Sequence, residues 1–277
     1  MKKINLLFYF WGFLTLCVYA KPKMVKVNVP DNSKSMQNIL IEMSEKNITI
    51  EDYEQFIMET SKEDIKTLES RWLRRIDSNK KEVDKTWPMF YLTWRDAVLY
   101  CNWLSKKDGY VPFYIIKTDP DNSKNVLISS NLESNGYRLP YVRELLVVSN
   151  CSEKDETSIK AQNNLELKSQ NGMPLSVENG KKNDFGIYDV LGNIPELCCD
   201  FYNEKFDYKN MNLSYTGPDS CTPDPDQVYF KEYLTNVRCV FGGYYWYSVK
   251  KVLDNLIKPI NEIEQDYVSF RVVRKLY

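Results

Sequence analysis

Asn183-Asp184-Phe185-Gly186-Ile187-Tyr188-Asp189-Val190-Leu191-Gly192-Asn193-Ile194-Pro195-Glu196-Leu197-Cys198-Cys199-Asp200-Phe201-Tyr202 sets short glycine turns between apolar residues and ends in an acidic, aromatic cluster. Asp189, Gly192, Ile194 and Glu196 are spaced to aim four oxygens at one point: two carboxylates and two backbone carbonyls. The plainer alternative is a turn in which Asp189 and Asn193 cap local amides.

Around this run the chain alternates between short apolar segments and polar loops. Val25, Val27 and Val29 alternate with Lys26 and Asn28, the period of a strand. Asp31 to Gln37 is polar loop. Thr49, with Asp52 three residues on, starts a helix as a capping-box-like pair, and Ile50, Tyr53, Phe56 and Ile57 share one face of it. Glu63 to Arg75 reads as helical, with Ile65, Leu68, Trp72 and Ile76 as a stripe, and Lys80 to Thr86 as loop. Thr93 with Asp96 caps a second clear helix that Gly109 ends. Phe113–Ile116 and Val126–Ile128 form a short hairpin. Pro140 opens a third helix, as proline does in a first turn. Asn150 to Asn183 is a long polar loop, and Val268, Phe270 and Val272 alternate as a last strand. Short strands mixed with capped helices and long loops predict an α+β fold.

The chain has 277 residues, 37 basic and 38 acidic, with 43% apolar and 14% aromatic residues. That apolar content sustains a core and excludes wholesale disorder. Lys2 and Lys3 precede an apolar stretch, Leu6 to Leu16, that is too short to span a bilayer as a helix. Val18-Tyr19-Ala20 then fits a small-residue cleavage site, so residues 1–20 read as a secretory signal and 21–277 as one domain beginning at Lys21. Leu14-Thr15-Leu16-Cys17 is a rival lipoprotein box, which would anchor the chain by lipid on Cys17; Leu16 is bulky for its last position. No later segment is long and apolar enough to cross a membrane. Removing the signal's two lysines leaves a slightly acidic chain, so no basic field points to nucleic acid. The expected location is outside the cytoplasm: periplasmic, secreted or at the cell surface.

Histidine is absent from the whole chain. That excludes Ser-His-Asp and Cys-His catalysis, and metal sites that need imidazole. Six cysteines follow the signal: Cys101, Cys151, Cys198, Cys199, Cys221 and Cys239. An even number in an exported chain suggests disulfides. Neighbours such as Cys198 and Cys199 rarely bond each other, so one of them is expected to bridge to Cys221 or Cys239 while the other is buried.

Several separate motifs resemble, in order, those of the formylglycine-generating enzyme, or sulfatase-modifying factor, family. Asn183 to Tyr202 is similar to its "N-x-F-G-L-Y-D-M-x-G-N-V-W-E-W-C-x-D-W-Y" signature. Ile48 to Phe56 resembles "E-V-T-n-x-q-Y-x-x-F", and Leu92 to Ser105 resembles "V-S-W-x-D-A-x-x-Y-C-N-W-L-S". Asn135-Gly136-Tyr137-Arg138-Leu139-Pro140 matches "N-G-Y-R-L-P". Gly217-Pro218 and Gly242-Gly243 match later turns, and Ser269 to Arg274 resembles the terminal "G-F-R-V-V-R". The resemblance implies a C-type-lectin-like α+β fold with much irregular structure. It also implies a structural calcium ion at Asp189, Gly192, Ile194 and Glu196, a mixed carboxylate and carbonyl set of the kind calcium accepts.

The resemblance breaks at the catalytic end. Members that oxidise a sulfatase cysteine use two cysteines beyond an "R-G-G-S" turn to hold copper(I), a soft ion that prefers thiolates. Here the turn reads Phe241-Gly242-Gly243-Tyr244, and no cysteine follows Cys239. No copper is expected, nor any catalytic residue carried over from the family. Tyr244, Tyr245 and Tyr247 then stand as candidate ligand-binding residues, since aromatics with polar tips suit sugar or peptide surfaces; the competing reading places such a run, Trp246 above all, in the core. The sequence therefore reads as an exported, noncatalytic binding or scaffold module with an unidentified protein, peptide or glycan ligand. The alternatives are an enzyme of the same superfamily with a relocated site, and a lipid-anchored surface protein that engages a partner through its loops.

Overall fold

A computed structural model describes residues 21–31, 37–60, 83–118, 126–150, 174–177, 180–210, 215–218, 237–244, 247–262 and 267–277. The signal segment, Cys17, the helix expected over Glu63–Arg75, most of the polar loop after Asn150, and Tyr245 and Trp246 lie outside these residues.

Among the described residues, eight short strands and four helices alternate with irregular chain, as an α+β fold requires. The elements in order are β1 Met24–Asp31, β2 Gln37–Ser44, α1 Ile50–Thr60, α2 Trp94–Lys107, β3 Tyr114–Thr118, β4 Val126–Ser130, α3 Val142–Ser149, β5 Glu196–Phe201, β6 Val237–Phe241, α4 Val249–Asp254, β7 Ile257–Asn261 and β8 Val273–Lys275. They form three antiparallel sheets: β1-β2-β8, the β3-β4 hairpin, and β5-β6-β7.

Local chemistry sets the helix starts. Thr49 and Asp52 exchange bonds, Thr49 N–H to Oδ2 at 3.0 Å and Asp52 N–H to Thr49 Oγ1 at 3.1 Å. Thr93 and Asp96 repeat this at 2.8 and 3.1 Å. Each pair satisfies donors that a helix N-terminus leaves open. Pro140 does not open α3. The cap is Tyr141, whose N–H donates to Glu144 Oε2 at 2.8 Å, so the first helical residue is Val142.

β5-β6-β7 divides the interior. Leu197, Cys199 and Val240 face one apolar cluster, with α1, α2, Trp94 and Phe270. Cys198, Cys239 and Phe241 face a second, with β1, β2, α3 and Val252 of α4. A strand covered on both faces reads as a continuous buried run, which is why Glu196–Asp200 shows no alternation of exposure. Trp94 is fully buried, and its indole N–H donates to the Cys198 carbonyl at 2.8 Å, tying α2 to β5.

The terminal strand expected over Val268, Phe270 and Val272 is also corrected. The pairing strand β8 starts only at Val273, and the intervening Ser269 and Arg271 are as buried as their apolar neighbours. Both sides of this segment face protein.

Candidate functional site

The signature loop is held by side-chain amides. Asn183 Oδ1 accepts from the N–H groups of Phe185 and Ile187 at 3.0 and 3.1 Å, and its Nδ2 donates to Val148 O at 2.8 Å. Asn193 does not cap a local amide: it reaches Leu175, accepting from its N–H at 2.8 Å and donating to its carbonyl at 3.1 Å. Asp189, Gly192 and Asn193 all take left-handed backbone, with φ of 48°, 82° and 59°.

Asp189, Gly192 and Ile194, named for calcium, lie on this loop and Glu196 opens β5 after it; all four are buried, but their charges are unequally placed. Asp189 is 6% exposed and Glu196 is fully buried. Arg271 claims both Glu196 oxygens, Nε to Oε2 at 2.6 Å and Nη2 to Oε1 at 2.5 Å. The same guanidinium donates to Tyr188 O at 2.9 Å and Ser44 O at 3.3 Å. One residue thus staples β2, the signature loop and β5. Each Glu196 oxygen keeps a second lone pair, so Glu196 fits a cation only by sharing it with Arg271. Among the described residues no cluster of three or more Cys, Asp or Glu side chains is arranged to hold a metal. A calcium site here would rest on Asp189, that shared carboxylate and the carbonyls of Gly192 and Ile194.

The Gly242-Gly243 turn abuts the same loop. Gly242 has φ 91°, and a Cβ there would stand 3.2 Å from the Val190 carbonyl; at Gly243 it would stand 2.6 Å from Val252 of α4. Only glycine allows both the backbone conformation and the approach of α4. Tyr244 and Tyr247, both half-buried, follow the turn with rings 5.2 Å apart in a T-shape. Lys251 Nζ, from α4, lies 3.9 Å from the Tyr247 ring centre, and Lys258 Nζ, from β7, lies 4.8 Å from it. Lys258 also donates to Tyr247 Oη at 3.2 Å. The structure thus joins two of the three expected tyrosines to two lysines that sequence reasoning missed. Their signal, a lysine one turn into the helix after the aromatics and another on the returning strand, depends on β7 pairing with β6.

The thiols among the described residues lie in the core. Cys101, Cys198, Cys199 and Cys239 are buried and in no disulfide, which corrects the expected disulfide from Cys198 or Cys199 to Cys239. Cys221 lies outside the described residues. Burial pushes all three of Cys101, Cys198 and Cys199 above the usual thiol range, away from the nucleophilic thiolate. Cys239, the last thiol before the turn, directs Sγ to the Phe201 carbonyl at 3.4 Å.

Two further buried ion pairs brace the scaffold. Arg138 binds Glu144 in a fork at 2.8 and 2.6 Å, and Tyr215 Oη donates to the same carboxylate at 2.6 Å. Arg238 pairs with Glu262 at 2.7 Å and lies over the rings of Phe201 and Trp94 at 3.7 and 4.1 Å. Asp200 is buried beside the first of these; desolvation pushes its carboxyl up to about 8, against the opposing bond from Val142 N–H at 2.8 Å.

Comparison with known proteins matches this architecture. The sulfatase-modifying factor enzyme 1-like domain family matches residues 25–276. Among solved structures, Treponema denticola variable protein 1 superposes with a TM-score of 0.61 at 17% identity, covering 91% of this chain and 95% of that one. CarF gives 0.58 at 15% identity over 93% and 99%, and PvdO from Pseudomonas aeruginosa gives 0.52 at 14% over 92% of each. At such identities the likeness is one of fold. Chaperone protein LppX of Paenibacillus barcinonensis is 27% identical over 147 residues, 42% of this chain and 52% of that protein. The chain therefore spans about half the length of the curated relative it matches. With nearly all of its described length matched, and with the signature loop, the buried arginine and the double-glycine turn in place, the chain belongs to the sulfatase-modifying factor enzyme 1-like domain family.

Proposed function

We propose that this chain is an exported, noncatalytic binding module of its family, which engages a protein partner at the face beside the Gly242-Gly243 turn. The observation that carries the reading is the replacement at that turn. Where catalytic members continue to a copper-holding cysteine pair, this chain places Tyr244 and Tyr247 with Lys251 and Lys258, and no cysteine follows Cys239. Among the described residues the thiols of Cys101, Cys198 and Cys199 are buried and held toward the protonated form, which disfavours copper(I) thiolate ligation. The printed name of the LppX relative, a chaperone protein, agrees with a binding role. Export rests on the leader at residues 1–20; no helix among the described residues is long and apolar enough to cross a membrane.

Three measurements test this. Purified protein incubated with copper and a Cys-x-Pro-x-Arg peptide should leave the peptide mass unchanged. A product about 18 Da lighter, the mark of thiol-to-aldehyde conversion at an activated site, would establish an enzyme. A photo-crosslinking residue in place of Tyr247 should trap a defined partner in producing cells, while the same residue in place of Leu127 on the β3-β4 hairpin should not. Equal trapping at both positions would remove the face from the reading. N-terminal sequencing of the native protein should start at Lys21; a blocked, lipidated Cys17 would make it a lipid-anchored surface protein instead.

A further inference from the structure

We infer that the Tyr247–Lys251–Lys258 cluster is a receptor for a carboxylate-rich peptide segment of that partner, an inference that rests on the binding-module reading above. Two ammonium groups approach one phenol ring, at 3.9 and 4.8 Å from its centre. Cation–π attraction holds such groups in place but leaves their charge uncompensated. Among the described residues neither lysine has a carboxylate partner. Lys250 precedes Lys251 on α4, and Asp254 is the one acid of that helix, so among the described residues α4 adds positive charge to the patch. The chain as a whole carries a formal charge of −1. A local cationic spot on an acidic protein attracts an anion there and nowhere in general.

The geometry also selects among anions. Stacking on a sugar needs an open aromatic face. Here two ammonium groups already lie against the Tyr247 ring, and Tyr244 packs on it in a T-shaped contact at 5.2 Å and 74°. What the cluster presents is N–H donors gathered at one aromatic ring. Lys258 is oriented by its bond to Tyr247 Oη at 3.2 Å, and α4, which carries Lys251, is seated by the contact of Val252 with Gly243. Pre-positioned ammonium donors suit the carboxylate side chains of a peptide, which need N–H donors and no open ring face.

The test uses the full mature chain and a fluorescein-labelled hexaglutamate peptide, read by anisotropy at low salt. Wild type should bind. Lys251→Gln with Lys258→Gln should weaken binding at least about 10-fold, because charge complementarity supplies the attraction. Lys117→Gln, on the exposed strand β3, should leave it unchanged. Raising ionic strength to about 0.3 M should weaken wild-type binding, since screening shortens the reach of exposed charges. Lys251 is exposed, so Lys251→Gln alone, with an unchanged melting curve, covers the case of a misfolded double variant. Equal binding by wild type and the lysine variants, or none by wild type at low salt, overturns the inference. A sulfated oligosaccharide that binds the wild type and is not displaced by hexaglutamate overturns it in favour of a glycan. If crosslinking at position 247 still traps a defined partner while hexaglutamate fails, the binding-module reading stands and only the ligand class falls.

Discussion

Replacing Arg271 by methionine strips a fully buried carboxylate of its counter-charge while keeping most of the side-chain volume. In the native protein the guanidinium meets Glu196 at 2.6 and 2.5 Å and also donates to Tyr188 O and Ser44 O. Both partners are fully buried, so water cannot replace the lost bonds. Breaking one side of such a pair costs roughly 3–5 kcal/mol, and each abandoned carbonyl adds about 1 kcal/mol in the same direction. The sum is about 5–7 kcal/mol, and for a chain of this size a loss of 1 kcal/mol lowers the melting temperature by about 2–4 °C, so a fall of roughly 10–28 °C is expected. Arg274→Met is the control. Arg274 pairs with Glu42 at 2.7 Å only three residues away, but its side chain is 16% exposed and its partner's 18%. Partly solvated pairs contribute about 0–1 kcal/mol. Urea unfolding of both variants should show a much lower midpoint for Arg271→Met with an unchanged slope. Adding Glu196→Gln to Arg271→Met should recover part of the loss, because the uncompensated charge goes with it. The reasoning fails if Arg271→Met costs no more than Arg274→Met, or if the second substitution deepens the loss.

Three other outcomes follow from the same geometry. Asp200 has a folded-state carboxyl near 8, against about 4 when unfolded, so the folded protein holds a proton that the unfolded chain has lost between those values. Its contribution is complete below about pH 4 and falls as pH rises to about 8; the stability difference between wild type and Asp200→Asn should decline across that window and level off above it, and a difference independent of pH refutes the assignment. Calcium bound only by the folded chain raises its melting temperature; because Arg271 already balances Glu196, the rise over chelator should be small and should vanish in Asp189→Ala, and superimposable wild-type curves would withdraw the calcium proposal. The four buried thiols Cys101, Cys198, Cys199 and Cys239 should resist a thiol reagent in native buffer and react once the chain is unfolded in denaturant; fast labelling of any of them in the native state would show that its burial is transient.

Much of this was legible in the residues alone. Thr49 with Asp52 and Thr93 with Asp96 announced their helices because a capping box is closed within four residues. Val25, Val27 and Val29 announced β1 because one face of that strand is buried and the other is not. Asn183, the glycine turns and the Gly242-Gly243 pair announced the family, since a tight loop accepts few residues. Elements covered on two sides were hidden. β5 and the Ser269–Arg271 segment show no period because both their faces meet protein. β2, β6 and β7 were likewise unannounced, and β6 and β7 pair across a turn that the following helix α4 must seat. Sequence alone determined the absence of histidine, the missing cysteine pair and the local caps, because these are matters of composition and short spacing. Only the tertiary structure decided that Glu196 meets Arg271 across 75 residues, that four of the thiols are buried without a disulfide, and that Lys251 and Lys258 converge on Tyr247. Those are long-range pairings, and no residue carries in its own neighbourhood the identity of the partner that the folded chain will bring to it.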